Sequence, residues 1–174
     1  MAFTVRPGQE TDLDGIVEIY NHYVVTSPVT FEVEPVHPKD RQAWVTEHTG
    51  KGKHRLFVAV DRSGMVQGWA TTSPFRPRAA YATTVEASVY CHHDSRGQGI
   101  GSQLYEVLFR SIANEDLERI VAGITLPNTA SVRLHTRFGF RPVGVFTRVG
   151  RKLGRFWDVG WFERPLDLNS IGPL

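Results

Sequence analysis

The hydrophobic pattern of the chain changes period repeatedly, and each change marks an element. The opening AFTVR alternates apolar and polar residues, the rhythm of a strand with one buried face. Thr11 with Asp14 three residues on resembles a capping box. Leu13, Ile16, Val17, Tyr20, Tyr23 and Val24 then recur at helical spacing, which predicts a helix buried along one face. PKDRQAWVTEH predicts a second short helix. RLFVAVD and MVQGWATT flank the turn RSG and predict a hairpin, whereas SPFRPRAA, with two prolines and two arginines, predicts a loop. YATTVEASVYC predicts a long strand, SQLYEVLFRSIANE a helix and RIVAGITL a strand. NTASVRLHTRF predicts a short helix that Gly139 stops at the C′ position. FRPVGVFTRVG and FWDVGWFERPL close the chain as strands. The expected order is β-α-α-β-β-β-α-β-α-β-β, an α/β (α+β) arrangement of helices flanking one mixed, mostly antiparallel sheet.

At 174 residues and 41% hydrophobic, the chain suits one well-buried domain, expected over residues 1–166, followed by a loose C-terminal tail at 167–174. Its net charge is +2, with eighteen acidic residues scattered among the basic ones and no long run of one sign, so nucleic acid is not an expected partner. No stretch approaches the roughly 20 apolar residues of a membrane span, and MAFTVRPGQE lacks the features of a signal peptide. The single cysteine, Cys91, has no internal disulfide partner, which points to a reducing compartment and a cytoplasmic location.

The segment CHHDSRGQGIGSQLY carries the chemistry. Gly97, Gly99 and Gly101 lie between the end of a strand and the start of a helix, where bare backbone amides and the positive end of a helix dipole together favour an anion. No glycine heads a G-x-x-x-x-G-K-[ST] series, and Ser102 stands where a dinucleotide fingerprint needs its third glycine. What remains is R-x-x-G-x-G, at Arg96, Gly99 and Gly101, a phosphate-binding turn. Cys91, His92, His93 and Asp94 are all metal-ligand types. Adjacent residues of an extended strand point oppositely, however, and neither a second spaced pair nor H-E-x-x-H is present, so no metal is expected. The G-x-S-x-G nucleophile elbow is also missing, and a lone cysteine is usually buried and inert.

This glycine pattern resembles the pyrophosphate loop of the GCN5-related N-acetyltransferase superfamily. IYNHYVVTSPVTFEVEP, AYATTVEASVY, GIGSQLY, LPNTASVRLH and DVGW narrow the resemblance to its phosphinothricin N-acetyltransferase branch, over nearly the whole chain. The resemblance implies a cleft for acetyl-CoA between the fourth and fifth strands, a homodimer, and acetyl transfer to the α-amino group of a small amino-acid analogue such as phosphinothricin, methionine sulfoximine or methionine sulfone. It places the diphosphate on Arg96, Gly97, Gln98, Gly99, Ile100, Gly101 and Ser102, and the pantetheine arm on Val89, Tyr90, Cys91 and Asn128. Asn128 is also suited to cap its helix. A β-bulge implied near that strand would free the backbone amides.

Acetyl transfer to an amine needs a base, and Glu86 interrupts a β-branched, apolar strand. Alone it would read as a surface glutamate, but the resemblance makes the glutamate of TVE the general base. Period-two alternation puts Glu86, Ser88 and Tyr90 on one face and Ala87, Val89 and Cys91 on the other. His135 stands where many members of the superfamily have an acidic tyrosine, which implies either a general acid or a proton relay. Arg76 and Arg78 suit a carboxylate or tetrahedral head group, and Tyr81 and Phe31 resemble pocket walls. FWDVGWFE departs from the branch, which leaves the acceptor open. A non-catalytic acetyl-CoA sensor, or an enzyme acting on a polyamine, an aminoglycoside or a protein N-terminus, are the alternatives.

Overall fold

Seven strands form one sheet, ordered β1-β2-β3-β4-β5-β7-β6, in a computed structural model that describes residues 3–166. The strands are β1 (Thr4–Pro7), β2 (Leu56–Val60), β3 (Val66–Pro74), β4 (Thr84–Cys91), β5 (Arg119–Leu126), β6 (Arg141–Lys152) and β7 (Arg155–Pro165). The helices are α1 (Leu13–Thr26), α2 (Pro38–His48), α3 (Ile100–Ser111) and α4 (Thr129–Arg137). Every element expected from the pattern is present in the expected order. The tail expected at 167–174 lies outside the described residues. No helix among the described residues is long and apolar enough to cross a membrane.

The entry to α1 differs from the expected Thr11–Asp14 box. A 3-10 turn at Glu10–Asp12 precedes the helix, so the reciprocal contact forms earlier, where the Asp12 carboxylate accepts the Gln9 N–H at 2.8 Å. Asp12 is buried and takes Arg6 as a two-pronged partner at 2.7 and 2.8 Å, which ties the helix entry to β1.

Two apolar clusters sandwich the sheet. On one face Leu104, Tyr105, Leu108 and Phe109 of α3 pack on Ala70, Val85, Ala87 and Ile120; on the other, Ile16 and Val17 of α1 and Val45 of α2 pack on Val58 and Trp69. Alternation along β4 follows the expected phase, because Ala87, Val89 and Cys91 join the α3 side and Tyr90 the α1 side. Gly68 lets α3 approach β3, since a methyl group there would stand 2.9 Å from Ile100 Cγ2.

The feature that positions the site is a ladder that stops early. β4 pairs with β3 in one unbroken antiparallel register from Gly68↔Cys91 to Pro74↔Val85. With β5 it pairs in parallel only through Thr84↔Arg119, Val85↔Ile120 and Glu86↔Val121. β5 then follows β7 along its whole length, so from Ala87 onward β4 and β5 diverge. The register shift nearest this strand lies between Ala59 and Val60 on the β2–β3 side. The expected opening is therefore present, but it arises from the end of the parallel ladder, with the β3–β4 register intact.

Candidate active site

The diverging strands enclose a cleft of about 450 Å3 whose walls are β4 from Ala87 to Cys91, β5 from Gly123 to Thr125, and the facing ends of α3 and α4. The backbone groups of β4 that would have met β5 beyond Glu86 have no ladder partner and face this space. Val89, Tyr90, Cys91 and Asn128, expected along the pantetheine arm, all line it. Asn128 also caps α4, its side-chain oxygen accepting the Ser131 N–H at 3.1 Å. The Cys91 thiol is lifted by burial to about 11, which keeps it protonated and unreactive near neutrality.

At the outer end of the cleft the glycine turn wraps the start of α3. Gly97 and Gly99 adopt φ of 76° and 80°, a conformation that favours glycine, and a methyl group added to either one would find nothing within 4 Å. Gly99 is the N-cap of α3; the amides of Ser102 and Gln103 turn back to the Gly99 carbonyl, and the Gly101 N–H is directed at the Cys91 thiol. Arg96 stands at the same mouth with its guanidinium 5.5 Å from the Tyr23 ring centre, and the Tyr23 hydroxyl in turn donates to the Cys91 carbonyl at 2.6 Å. This combination of a glycine turn, a helix N-terminus and an arginine fits a diphosphate. Arg96, Gly97, Gly99, Ile100, Gly101 and Ser102 line the cleft; Gln98, exposed at the tip of the turn, is not among the lining residues.

Glu86 sits at the vertex, as the last residue of β4 to pair with β5. Burial raises its carboxyl above the ordinary carboxylate range, and the positive charge of Arg76 pulls it partly back. Arg76 lies 4.7 Å from the Phe75 ring centre and 5.9 Å from that of Trp161, and Tyr81 meets Phe75 edge-on at 5.7 Å. Arg76 and Tyr81 are therefore brought together beside the vertex. Arg78 is an exposed residue that opens the 3-10 turn Ala79–Tyr81. Phe31 lies so close against Gly150 of β6 that a methyl group added there would collide with its ring.

His135 lines the inner wall and is 3% exposed. Its Nδ1 lies 2.8 Å from the Ser131 carbonyl, which requires a proton on Nδ1 and leaves Nε2 as an acceptor. The Tyr105 hydroxyl donates to that Nε2 at 2.9 Å. Burial lowers the imidazole pKa, so His135 is neutral near pH 7.

A family profile described as an acetyltransferase (GNAT) domain matches residues 5–161. The chain belongs to the GNAT acetyltransferase family. It is 53% identical to a phosphinothricin N-acetyltransferase of Streptomyces coelicolor, over 93% of this chain and 95% of that protein. It is 36% identical to an L-methionine sulfoximine/L-methionine sulfone acetyltransferase of Pseudomonas aeruginosa, over 99% of this chain and 100% of that one. A crystal structure of a phosphinothricin acetyltransferase from Sinorhizobium meliloti in complex with acetyl-CoA superposes with a TM-score of 0.89 at 33% identity, covering 95% of this chain and 89% of that chain.

This GNAT acetyltransferase uses acetyl-CoA as its co-substrate, and the cleft suits that molecule by the glycine turn at one end and the strand edge without a ladder partner along its length. Three residues of the enzyme's site were not legible in the sequence pattern. Tyr105 reads as one more position on the apolar face of α3, and its partner is thirty residues away. Phe75 and Trp161, which flank Arg76, come from a loop and a distant strand.

Proposed function

We propose that the enzyme acetylates the α-amino group of a small amino-acid analogue of the phosphinothricin, methionine sulfoximine or methionine sulfone class. The activity is carried by one domain over residues 1–166. The observation that carries this reading is the position of Glu86: a carboxyl with a raised pKa at the vertex of the acetyl-CoA cleft, beside Arg76. The names of the Streptomyces and Pseudomonas relatives support the acceptor class.

Acetyl-CoA, when bound, supplies the acetyl group as a thioester. Glu86 accepts the proton of the acceptor's ammonium group, directly or through one water, and leaves a neutral nitrogen nucleophile. Arg76, held over Phe75 and Trp161, offers a planar donor fork to the acceptor's carboxylate or tetrahedral head group, and Tyr81 supplies an aromatic wall. Freed amides of β4 stabilise negative charge developing on the carbonyl oxygen. As the C–N bond forms the attacking nitrogen becomes acidic; the Tyr105 oxygen takes that proton while its own passes to His135 Nε2, and the reverse shift delivers a proton to the departing thiolate as the C–S bond breaks.

A homodimer is part of the same proposal. Val143, Val145, Phe146 and Val149 of β6, Leu153 in the following turn and Phe156 of β7 are all exposed, a set of apolar side chains suited to pairing with a second copy. The tryptophans Trp157 and Trp161 are only partly exposed; the bare aromatics of this region are Phe146 and Phe156. The lone cysteine supports a reducing, cytoplasmic setting. A thiol-release assay with acetyl-CoA and a panel of amino-acid analogues tests the function. Saturable turnover with a phosphinate, sulfoximine or sulfone amino acid is expected; acetyl-CoA binding without turnover on any amine would replace the enzyme with a sensor.

A further inference from the structure

Cys91, His92, His93 and Asp94 look unsuitable for a metal when they are taken as strand residues, because alternation would send the two imidazoles to opposite faces. That premise ends with β4 at Cys91, since His93–Ser95 form a 3-10 turn. In the turn the rings of His92 and His93 stack, with centroids 4.3 Å apart and planes 30° apart. The Asp94 carboxylate lies 3.5 Å from His93 Nε2, and one donor atom from each of His92, His93 and Asp94 falls within 4.8 Å of the other two. His22 of α1 also stacks on His93, at 4.1 Å and 5°, which fixes the plane of that ring.

The turn itself is pinned. The His92 N–H donates to the Gln67 carbonyl at 2.8 Å, and the buried Ser95 hydroxyl donates to Gln67 Oε1 at 2.6 Å, so the backbone beneath the cluster is anchored to β3. Asp94 and the rim side of His93 are exposed, so an ion can reach them from solvent. Two imidazole nitrogens and one carboxylate oxygen select zinc, copper or nickel over magnesium or calcium, and leave a fourth position for water. The charge of Arg96, two residues on, opposes a cation, and the Asp94 carboxylate offsets it.

We infer that His92, His93 and Asp94 form a binding site for one divalent transition-metal ion on the rim of the acetyl-CoA cleft. None of the three has a part in the proposed acetyl transfer, so the site stands apart from that reading. The test is calorimetric titration of tag-free, chelator-treated protein with zinc chloride. One equivalent binding with low-micromolar affinity is expected, and His93→Ala and Asp94→Asn should each weaken it by about tenfold or more. Both side chains are partly or largely exposed, and circular-dichroism melts should match the parent protein. Absence of heat with zinc, or binding that survives both substitutions unchanged, would overturn the site.

Discussion

The Tyr105 hydroxyl donates its hydrogen bond to His135 Nε2 at 2.9 Å, and both side chains are buried. The direction of that bond follows from the other ring nitrogen, which gives its proton to the Ser131 carbonyl. A neutral imidazole in this tautomer has no proton on Nε2 to hand to a leaving group, so any proton it moves passes through the phenol. Tyr105→Phe and His135→Gln should therefore each lower kcat by about tenfold or more while the KM for acetyl-CoA changes little. The double variant should lose little beyond the larger single loss, because the two act as one unit. Additive losses in steady-state kinetics would separate the two residues.

Glu86→Gln removes the base and keeps the shape, and should cut turnover by roughly 10²-fold with acetyl-CoA affinity retained by calorimetry. Unchanged turnover would remove Glu86 from the mechanism.

The pH dependence follows from the same carboxyl. Burial raises its pKa and Arg76 lowers it, so the acidic limb of kcat/KM should lie above the ordinary carboxylate range in the parent enzyme. Arg76→Gln takes away the charge that favours the ionised form, and the limb should move to higher pH. A limb that stays in place would mean that Arg76 does not reach Glu86 electrostatically.

Stability should fall on acidification through a different pair of groups. His48 and His135 are both buried, and burial lowers both pKa values below the unfolded value of about 6.5. The unfolded chain then binds more protons in the interval between the folded and unfolded values. Their contribution is complete above the unfolded value and is lost as pH falls through the folded values. Thermal melts should show the midpoint falling below about pH 6.5, and His135→Gln should flatten part of that slope.

Two glycines separate folding from binding. Gly68→Ala would press a methyl to 2.9 Å from Ile100 and 3.0 Å from the Tyr90 carbonyl, and should destabilise the fold by about 1–3 kcal/mol in denaturant melts. Gly99→Ala meets no neighbour but is strained at φ 80°, so its main effect should be weaker acetyl-CoA binding.

What the sequence made legible follows from how local each signal is. α2 runs from Pro38 to His48 as the pattern predicts, because proline opens it and its own residues settle its length. The R-x-x-G-x-G turn is equally local, and Gly99 carries the positive φ that such a turn requires. Features built across elements were not readable in the same way. Arg76 acquires its place from Phe75 and Trp161, Tyr105 from His135, and the His92–His93 stack from a strand that ends at Cys91, where the alternation argument carried it on through Asp94. Phe31 is a further case: its contact with Gly150 is set by the path of β6 and could not be read from its own segment.

The short parallel ladder divides the sheet into two leaves, β1 to β4 and β5 to β7, joined by three residue pairs. A molecule lodged between the leaves works as mortar, bonding to both edges where the protein has no bonds of its own. Occupancy of that seam should raise the melting temperature as well as enable chemistry, with a shift that grows with the logarithm of ligand concentration.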